Sequence, residues 1–470
     1  MSRKCLLPLA LLLSALIAIG FWWVRLPAAL SPDRIADTVY YIENVALLDP
    51  VTGILRPDGH VRVSEGRIAA IGTGPAPHVL PDLPRVDGEG LTLMPGLIDM
   101  HVHVFDAVDL ASNLAHGVTT VRNMGGMPFH RPLAGRIERG DMLGPRLLTT
   151  GPILNETGGR NGNLLHQSVS GADEARAAVR RQFAAGFRDL KLYSNLSRES
   201  FQAIREEAAS LGLTMSGHPV EGTESDPLSI MLTLGAGFVT LEHTESIVWH
   251  GLEDDTDPDR AWILAQRMAA AGVTVDPTLV VHENLTRIVE TQGAHLTRPD
   301  MEGYNPVVAG FEQDAFDFWS SYQGHDRSEM QAFYVAFTGM MHEAGVRLTV
   351  GTDAGVMATP HGVATVREME LLVEAGLTPL EAIRAATLNP ADALGMGGEI
   401  GCLAVGCAAD FVLVEGDPRQ FIGRLYQPQA VVRDGRWLGR DDLDALEAAG
   451  RQPSQIRTWW NLGRHLWSIR

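Results

Sequence analysis

Two histidines one residue apart, His101 and His103, end an apolar run that begins at Leu93, LMPGLIDMHVHVF. On a β-strand, residues two apart share a face, so the imidazoles stand side by side, where neutral ring nitrogens can ligate a divalent ion. Four more residues of ligand type end apolar runs downstream: Lys191 in FRDLKLYS, His218 in LTMSGH, His243 in FVTLEH and Asp353 in VRLTVGTD. Taken singly, each has an ordinary reading: satisfied core histidines, a helix cap at Asp353, a lysine snorkelling to the surface. Lys191 resists it. It lies between Leu190 and Leu192 in a strand that reads as buried, where a free ammonium is costly. A deprotonated lysine amine can take up carbon dioxide, and the carbamate is a carboxylate-like bridge for two cations. The only cysteines are Cys5, Cys402 and Cys407, so a cysteine-based zinc finger is excluded and any metal falls to His, Asp, Glu or Lys.

Such residues need a frame that gathers strand ends. Besides the opening strand, the runs 117–124, 145–151, 187–194, 213–218, 238–243, 273–280 and 346–353 read as buried strands, which makes eight. Helical patterns intervene. Phe201, Ile204, Ala208 and Leu211 share one face before a stop at Gly212, and Thr378, Pro379 and Glu381 form a capping-box start. The steps from Lys191 to His218 and on to His243 are each close to one βα unit of about 30 residues. The alternation predicts an α/β fold, a (β/α)8 TIM barrel over 93–395, with the ligand candidates at the C-terminal strand ends where barrel sites are built. Short alternating strands in 31–92 and again in 396–440 predict a discontinuous small β-sandwich domain assembled from both chain ends.

The chain has 470 residues, 45% of them hydrophobic, enough for a large core, and a net charge of −19 that excludes a nucleic-acid partner held by a basic surface. Arg3 and Lys4 precede an uncharged run, Cys5–Val24, ending in Phe21, Trp22 and Trp23. Segment 1–30 therefore reads as a membrane anchor, its length and aromatic flank favouring that over a cleaved signal peptide. Either way the bulk of the chain is expected outside the cytoplasm, periplasmic or at the cell surface. There Cys402 and Cys407, flanking an apparent hairpin turn, can form a disulfide or remain two small buried thiols. The tail 441–470 carries Trp459, Trp460 and Trp467 among arginines, and as a helix it suits either a membrane surface or the barrel wall.

The motifs HVH, KLY, GHP, LEH and GTDAG, with MPGLID, GVTTVRNMGG, LTPLEAIRAATLNPADALG and GCLAVGCAADFVLVEGDP, resemble the metal-dependent amidohydrolase superfamily over roughly residues 39–438. The nearest likeness is to its imidazolonepropionase-related, prolidase-like branch, although true imidazolonepropionases lack the bridging lysine. The resemblance implies two divalent ions, zinc first and manganese or cobalt as alternatives. His101, His103 and Asp353 would hold one, His218 and His243 the other, with carboxylated Lys191 as the bridge. It also implies attack by a hydroxide shared between the ions, with Asp353 shuttling its proton to the departing amine. The expected substrate is a small molecule with a C–N amide bond: a dipeptide, an N-acyl amino acid or a cyclic amide. Ester, lactone or phosphotriester hydrolysis on the same centre is the alternative, and a silent binding protein a remote one. Arg160 and His166 are candidates to pair with a substrate carboxylate, Tyr193 to donate to the carbonyl, and His361 to reach the pocket. The long segment 282–340 suggests a helical lid, and a homo-oligomer stays open.

Overall fold

Strands buried on both faces carry uninterrupted apolar runs rather than alternation. The computed structural model describes residues 26–31, 39–77, 83–156, 165–324 and 326–469. The run Cys5–Val24, Cys5 with it, and Arg160 lie outside them. Among the described residues no helix is long and apolar enough to cross a membrane. Strands β1 (Tyr40–Leu48), β2 (Leu55–Ser64), β3 (Arg67–Thr73), β4 (Arg85–Asp87) and β5 (Thr92–Pro95) come first. Then β6 (Leu97–Val102), buried at all six positions, pairs in parallel with β7 (Val118–Asn123), which pairs with β8 (Arg146–Thr149). A second parallel sheet contains β9 (Leu154–Glu156), β10 (Gln167–Val169), β11 (Asp189–Leu192) and β12 (Thr214–Gly217). Past a small hairpin of β13 (Gly222–Thr223) and β14 (Asp226–Pro227), it continues with β15 (Leu241–Glu242), β16 (Thr274–Asp276) and β17 (Arg347–Leu348). Its order is β10-β9-β11-β12-β15-β16-β17.

Backbone hydrogen bonds link the two parallel sheets at both ends. The Gly151 amide, just past β8, donates to Asp189 of β11 at 2.8 Å; Met100 of β6 donates to Val350, and Asp353 to His101, also at 2.8 Å. Helices such as Gly171–Ala184, Arg198–Leu211 and Pro258–Ala271 alternate with the strands. Arg198–Leu211 shows the local logic. The Ser197 side chain caps its first turn, its buried face carries Phe201, Ile204 and Ala208, and Gly212 ends it in the left-handed region at φ 65°.

The remaining strands, β18 (Phe411–Val414), β19 (Ala430–Arg433) and β20 (Arg436–Gly439), return to the first five. β18 runs antiparallel to β5 with Val412 opposite Met94, and one eight-stranded sheet, ordered β20-β19-β18-β5-β1-β2-β3 with β4 on β1, holds strands from both chain ends. Ile42, Val61, Leu93, Phe411 and Val432 fill its core.

Three expectations need correction. The run 273–280 is not one strand: β16 stops at Asp276 and a helix, Leu279–Glu290, starts after Pro277, whose ring removes a ladder donor. Of 346–353, Arg347–Leu348 pairs with β16 and the Thr349 amide still donates to Val275, whereas Val350–Asp353 bonds to β6. β9 and β10 insert between β8 and β11, three-residue strands too short to show a period. In the 282–340 segment lie the rest of Leu279–Glu290 and two longer helices, Pro306–Ser320 and Arg327–Glu343.

Cys402 and Cys407 are joined as a disulfide with Cα atoms 6.1 Å apart, closing a turn that no paired strands flank. Closing so short a loop contributes about 2 kcal/mol. The double variant C402S/C407S is expected to lose up to that amount in a denaturant titration. The untreated protein should show neither thiol to an alkylating reagent; labelling of both without reductant would contradict the bond.

Candidate metal centre

Five imidazoles and a phenol form a continuous arc, all but His166, which just precedes β10, at C-terminal strand ends. Ring centroids lie 5.4 Å apart between His103 and His101, 4.8 Å between His101 and His243, and 4.4 Å between His243 and His218. The arc continues from His218 to Tyr193 at 4.1 Å and from Tyr193 to His166 at 4.6 Å. Asp353 Oδ1 closes on its head, 2.9 Å from His103 Nε2 and 3.3 Å from His101 Nε2. Ligand atoms of His101, His103 and Asp353 lie mutually within 4.8 Å, the span of one ion's coordination sphere. The turns that deliver these groups are strained. His243, Thr278 and Asp353 take φ values of 69°, 49° and 59°, each costing on the order of 1–3 kcal/mol that the surrounding packing must offset. Gly217, at φ 147°, precedes His218 where a Cβ would lie 2.1 Å from the Leu192 carbonyl oxygen, so only glycine brings β12 this close to β11.

Proton positions decide what these atoms can bind. His101 Nδ1 lies 2.9 Å from Glu242 Oε2, and a carboxylate only accepts, so Nδ1 carries the proton. Burial pushes the His101 imidazole down to about 4, so at neutral pH the ring is uncharged and its Nε2 is a bare lone pair. That lone pair faces a carboxylate oxygen. Asp353 Oδ1, buried, has His103 Nε2 2.9 Å away, and the unprotonated His101 Nε2 can offer it no donor. Two acceptors held together in a dry site repel each other unless a cation lies between them. The same logic runs along the arc. Ser246 Oγ donates to Glu245 at 2.9 Å and so accepts from His218 Nδ1 at 3.2 Å, leaving His218 Nε2 open. His243 Nδ1 is held by Thr278 Oγ1 at 2.7 Å, and burial drives both rings well below the usual imidazole range. The donor set thus fits a divalent metal, with His101, His103 and Asp353 as one group and the free nitrogens of His218 and His243 as the second.

Lys191 lies on β11 with 1% of its surface exposed, and its Nζ has no hydrogen-bond partner among the described residues. Burial lowers its amine to about 8, which makes the uncharged, nucleophilic form accessible near neutral pH. Its charge bears on His101, His218 and His243, so it belongs to the same electrostatic site.

Reading the sequence missed the groups behind the ligands. Arg122 of β7 donates to Met100 O at 2.8 Å, Ser216 Oγ at 3.0 Å, Thr240 Oγ1 at 2.7 Å and Glu242 Oε1 at 2.9 Å. It thereby fixes the carboxylate that orients His101. The signal was available, since a charge inside a buried run singles out Arg122 and Glu242 as it does Lys191. A second trio, His101, Glu242 and Asp276, is also compact. The proton on His101 Nδ1 denies it a lone pair there, and burial beside Glu242 holds Asp276 well above the carboxylate range. Glu242→Gln is expected to weaken metal binding by about 10–100-fold, read by competition with a chromogenic chelator, with circular dichroism confirming the fold. Unchanged affinity would remove Glu242 from the site.

Among the substrate candidates, Tyr193 and His166 join the arc. His361 turns to Asn113, 3.2 Å away, and lines a cavity of about 260 Å³ with Phe105, Asp109 and Tyr304 that contains none of the six ligand candidates. His282, not anticipated, is half-buried with its ring 6.5 Å from His243 and 5.6 Å from Tyr334.

Comparison with known proteins gives the family and the fold. Residues 92–438 match the amidohydrolase family. Ochratoxinase of Aspergillus niger is 26% identical over 402 residues, covering 72% of this chain and 73% of that protein. The solved structure of AH, bottromycin amidohydrolase, is 26% identical with a TM-score of 0.73, covering 90% of this chain and 93% of that one. A putative prolidase from Bifidobacterium longum is 25% identical with a TM-score of 0.66, covering 89% and 100%. Such likeness carries a TIM-barrel-like α/β fold.

Proposed function

The chain belongs to the amidohydrolase family and is a hydrolase of C–N bonds, and from that premise we propose that it cleaves the amide bond of a dipeptide, an N-acyl amino acid or a small cyclic amide at a two-metal centre in a closed (β/α)8 barrel. The single observation that carries the metal reading is the lone pair of His101 Nε2, fixed by Glu242 on Nδ1, facing the Asp353 carboxylate oxygen at 3.3 Å. His101, His103 and Asp353 would hold one ion and His218 and His243 the other. Lys191 would bridge them after its amine adds to carbon dioxide, forming one N–C bond and releasing one proton. When bound, zinc or a similar divalent ion acidifies a water and polarises a carbonyl.

The chain's own residues do the rest. Asp353 accepts the attacking water's proton on its carboxylate and returns it to the departing nitrogen, so a carboxylate and an amine leave. Glu242 and Arg122 hold the His101 tautomer, Ser246 holds that of His218, and Thr278 fixes the orientation of the His243 ring. Tyr193, whose ring lies against His218, would donate a hydrogen bond from its phenol to the substrate carbonyl oxygen. Support for an amide substrate comes from the relatives' names: a putative prolidase, ochratoxinase and bottromycin amidohydrolase. The disulfide and the run Cys5–Val24 support an extracytoplasmic, membrane-anchored placement.

The test is a substrate panel on metal-assayed protein. We expect amine release from dipeptides or N-acyl amino acids, lost on chelation and restored by zinc, cobalt or manganese in bicarbonate. Turnover confined to lactones or phosphotriesters would replace the amide reading with the ester one.

A further inference from the structure

Large aromatic side chains rarely cluster in water on a helix that is otherwise well seated. The terminal helix Gln455–Ser468 is firmly seated. Thr458, Leu462 and His465 face inward, Arg457 pairs with Asp106 at 2.7 Å, Asn461 donates to Phe105 O at 3.0 Å, and His465 Nε2 donates to Leu165 O at 2.8 Å. Those contacts set its rotation, and the rotation leaves Trp459, Trp460 and Trp467 exposed by 55%, 69% and 82%. Phe311, itself half exposed, extends the patch, its ring 5.4 Å from Trp459.

A second observation says what covers this face. Beside the helix lies an apolar groove of about 820 Å³ walled by Leu26, Phe129, Leu133, Ile456, Trp459 and Trp460, with Arg136 and Arg464 also on its lining. Leu26 follows the uncharged run Cys5–Val24 with one residue, Arg25, between. Twenty uncharged residues suffice as a helix to cross about 30 Å of hydrocarbon. Whatever membrane receives that run therefore lies against the face where Leu26 sits, the face that carries the tryptophans. Tryptophan favours the headgroup layer, and arginines favour lipid phosphates even on a chain of net charge −19.

We propose that the terminal helix Gln455–Ser468 lies flat on a phospholipid bilayer, with Trp459, Trp460 and Trp467 in the headgroup layer and Arg136 and Arg464 turned to the phosphates. The helix grips Phe105, two residues beyond His103, and Leu165, beside His166, so docking brings the rim of the metal centre to the membrane surface. This goes beyond the hydrolytic reading and does not depend on it.

The test uses the full-length chain in a W22F/W23F background, incorporated into phosphatidylethanolamine and phosphatidylglycerol vesicles with ordinary or brominated acyl chains. Brominated chains should quench a fraction of the tryptophan fluorescence, and that fraction should vanish when W459F, W460F and W467F are added. Thermal melting in detergent should match the parent, showing that the conservative changes leave the fold intact. Equal fluorescence in both vesicle types, or quenching that survives the triple change, overturns the proposal. In the first case sedimentation in detergent distinguishes a dimer, with a second copy on the groove, from a monomer whose own residues 5–24 fill it.

Discussion

Lys191→Ala is expected to lower kcat/KM on the best amide substrate by on the order of 10³-fold or more, because a shared ligand contributes several kcal/mol of charge stabilisation when it holds both ions in register. The metal content should fall from two ions per chain towards one or none. The folded apo protein should not suffer in parallel. Nζ is buried without a partner, so removing it relieves a desolvation cost and exchanges it for a small cavity. A melting temperature near the parent's, alongside collapsed activity, separates a bridging role from a structural one. Short carboxylic acids such as acetate or propionate should restore part of the rate by occupying the vacated space. A variant that keeps full activity with both ions bound would remove the carbamate from the account.

Asp353→Asn is expected to cost on the order of 10²–10⁴-fold in kcat, the range of a positioned general base, with little change in KM. The amide keeps an oxygen that can face His101 Nε2 and His103 Nε2, but it can neither take up nor return a proton. Metal content should therefore drop less than in Lys191→Ala while turnover drops comparably. Backbone geometry sharpens the choice of asparagine. Position 353 has φ 59°, a conformation that asparagine and aspartate tolerate better than β-branched or bulky residues. Alanine there would confound lost chemistry with added strain. Intact kcat in Asp353→Asn would transfer the proton-shuttling role to another group, with Tyr193 and His282 as the neighbours to examine.

The ligand candidates were legible because each breaks a local rule in a run only a few residues long. HVH puts two polar rings on one face of an apolar strand, DLKL buries an amine, and TMSGH, FVTLEH and VGTD end apolar runs on a potential ligand. The sheet shared by both chain ends was legible for a similar reason, since β1, the second half of β2, β18 and β19 carry strong β-formers between turn residues. Where local signals conflict or are too short, the reading slipped. The run 273–280 is β-branched on both sides of Pro277, so its switch from β16 to helix is invisible to periodicity. β9 and β10 have three residues each, below the length at which alternation means anything.

Sequence alone therefore determined which residue types could meet at the strand ends and the class of fold that brings them together, because strand period, helix caps and buried polar residues are properties of short stretches. The tertiary structure alone decided the tautomers. That His101 carries its proton on Nδ1 follows from Glu242, 141 residues away, which Arg122 from a third strand holds in turn. Which face of the terminal helix is left uncovered by the rest of the chain depends on Asp106, Phe105 and Leu165, far upstream. Hydrogen-bond direction and burial depend on partners that only the tertiary fold makes neighbours, and no local pattern encodes them.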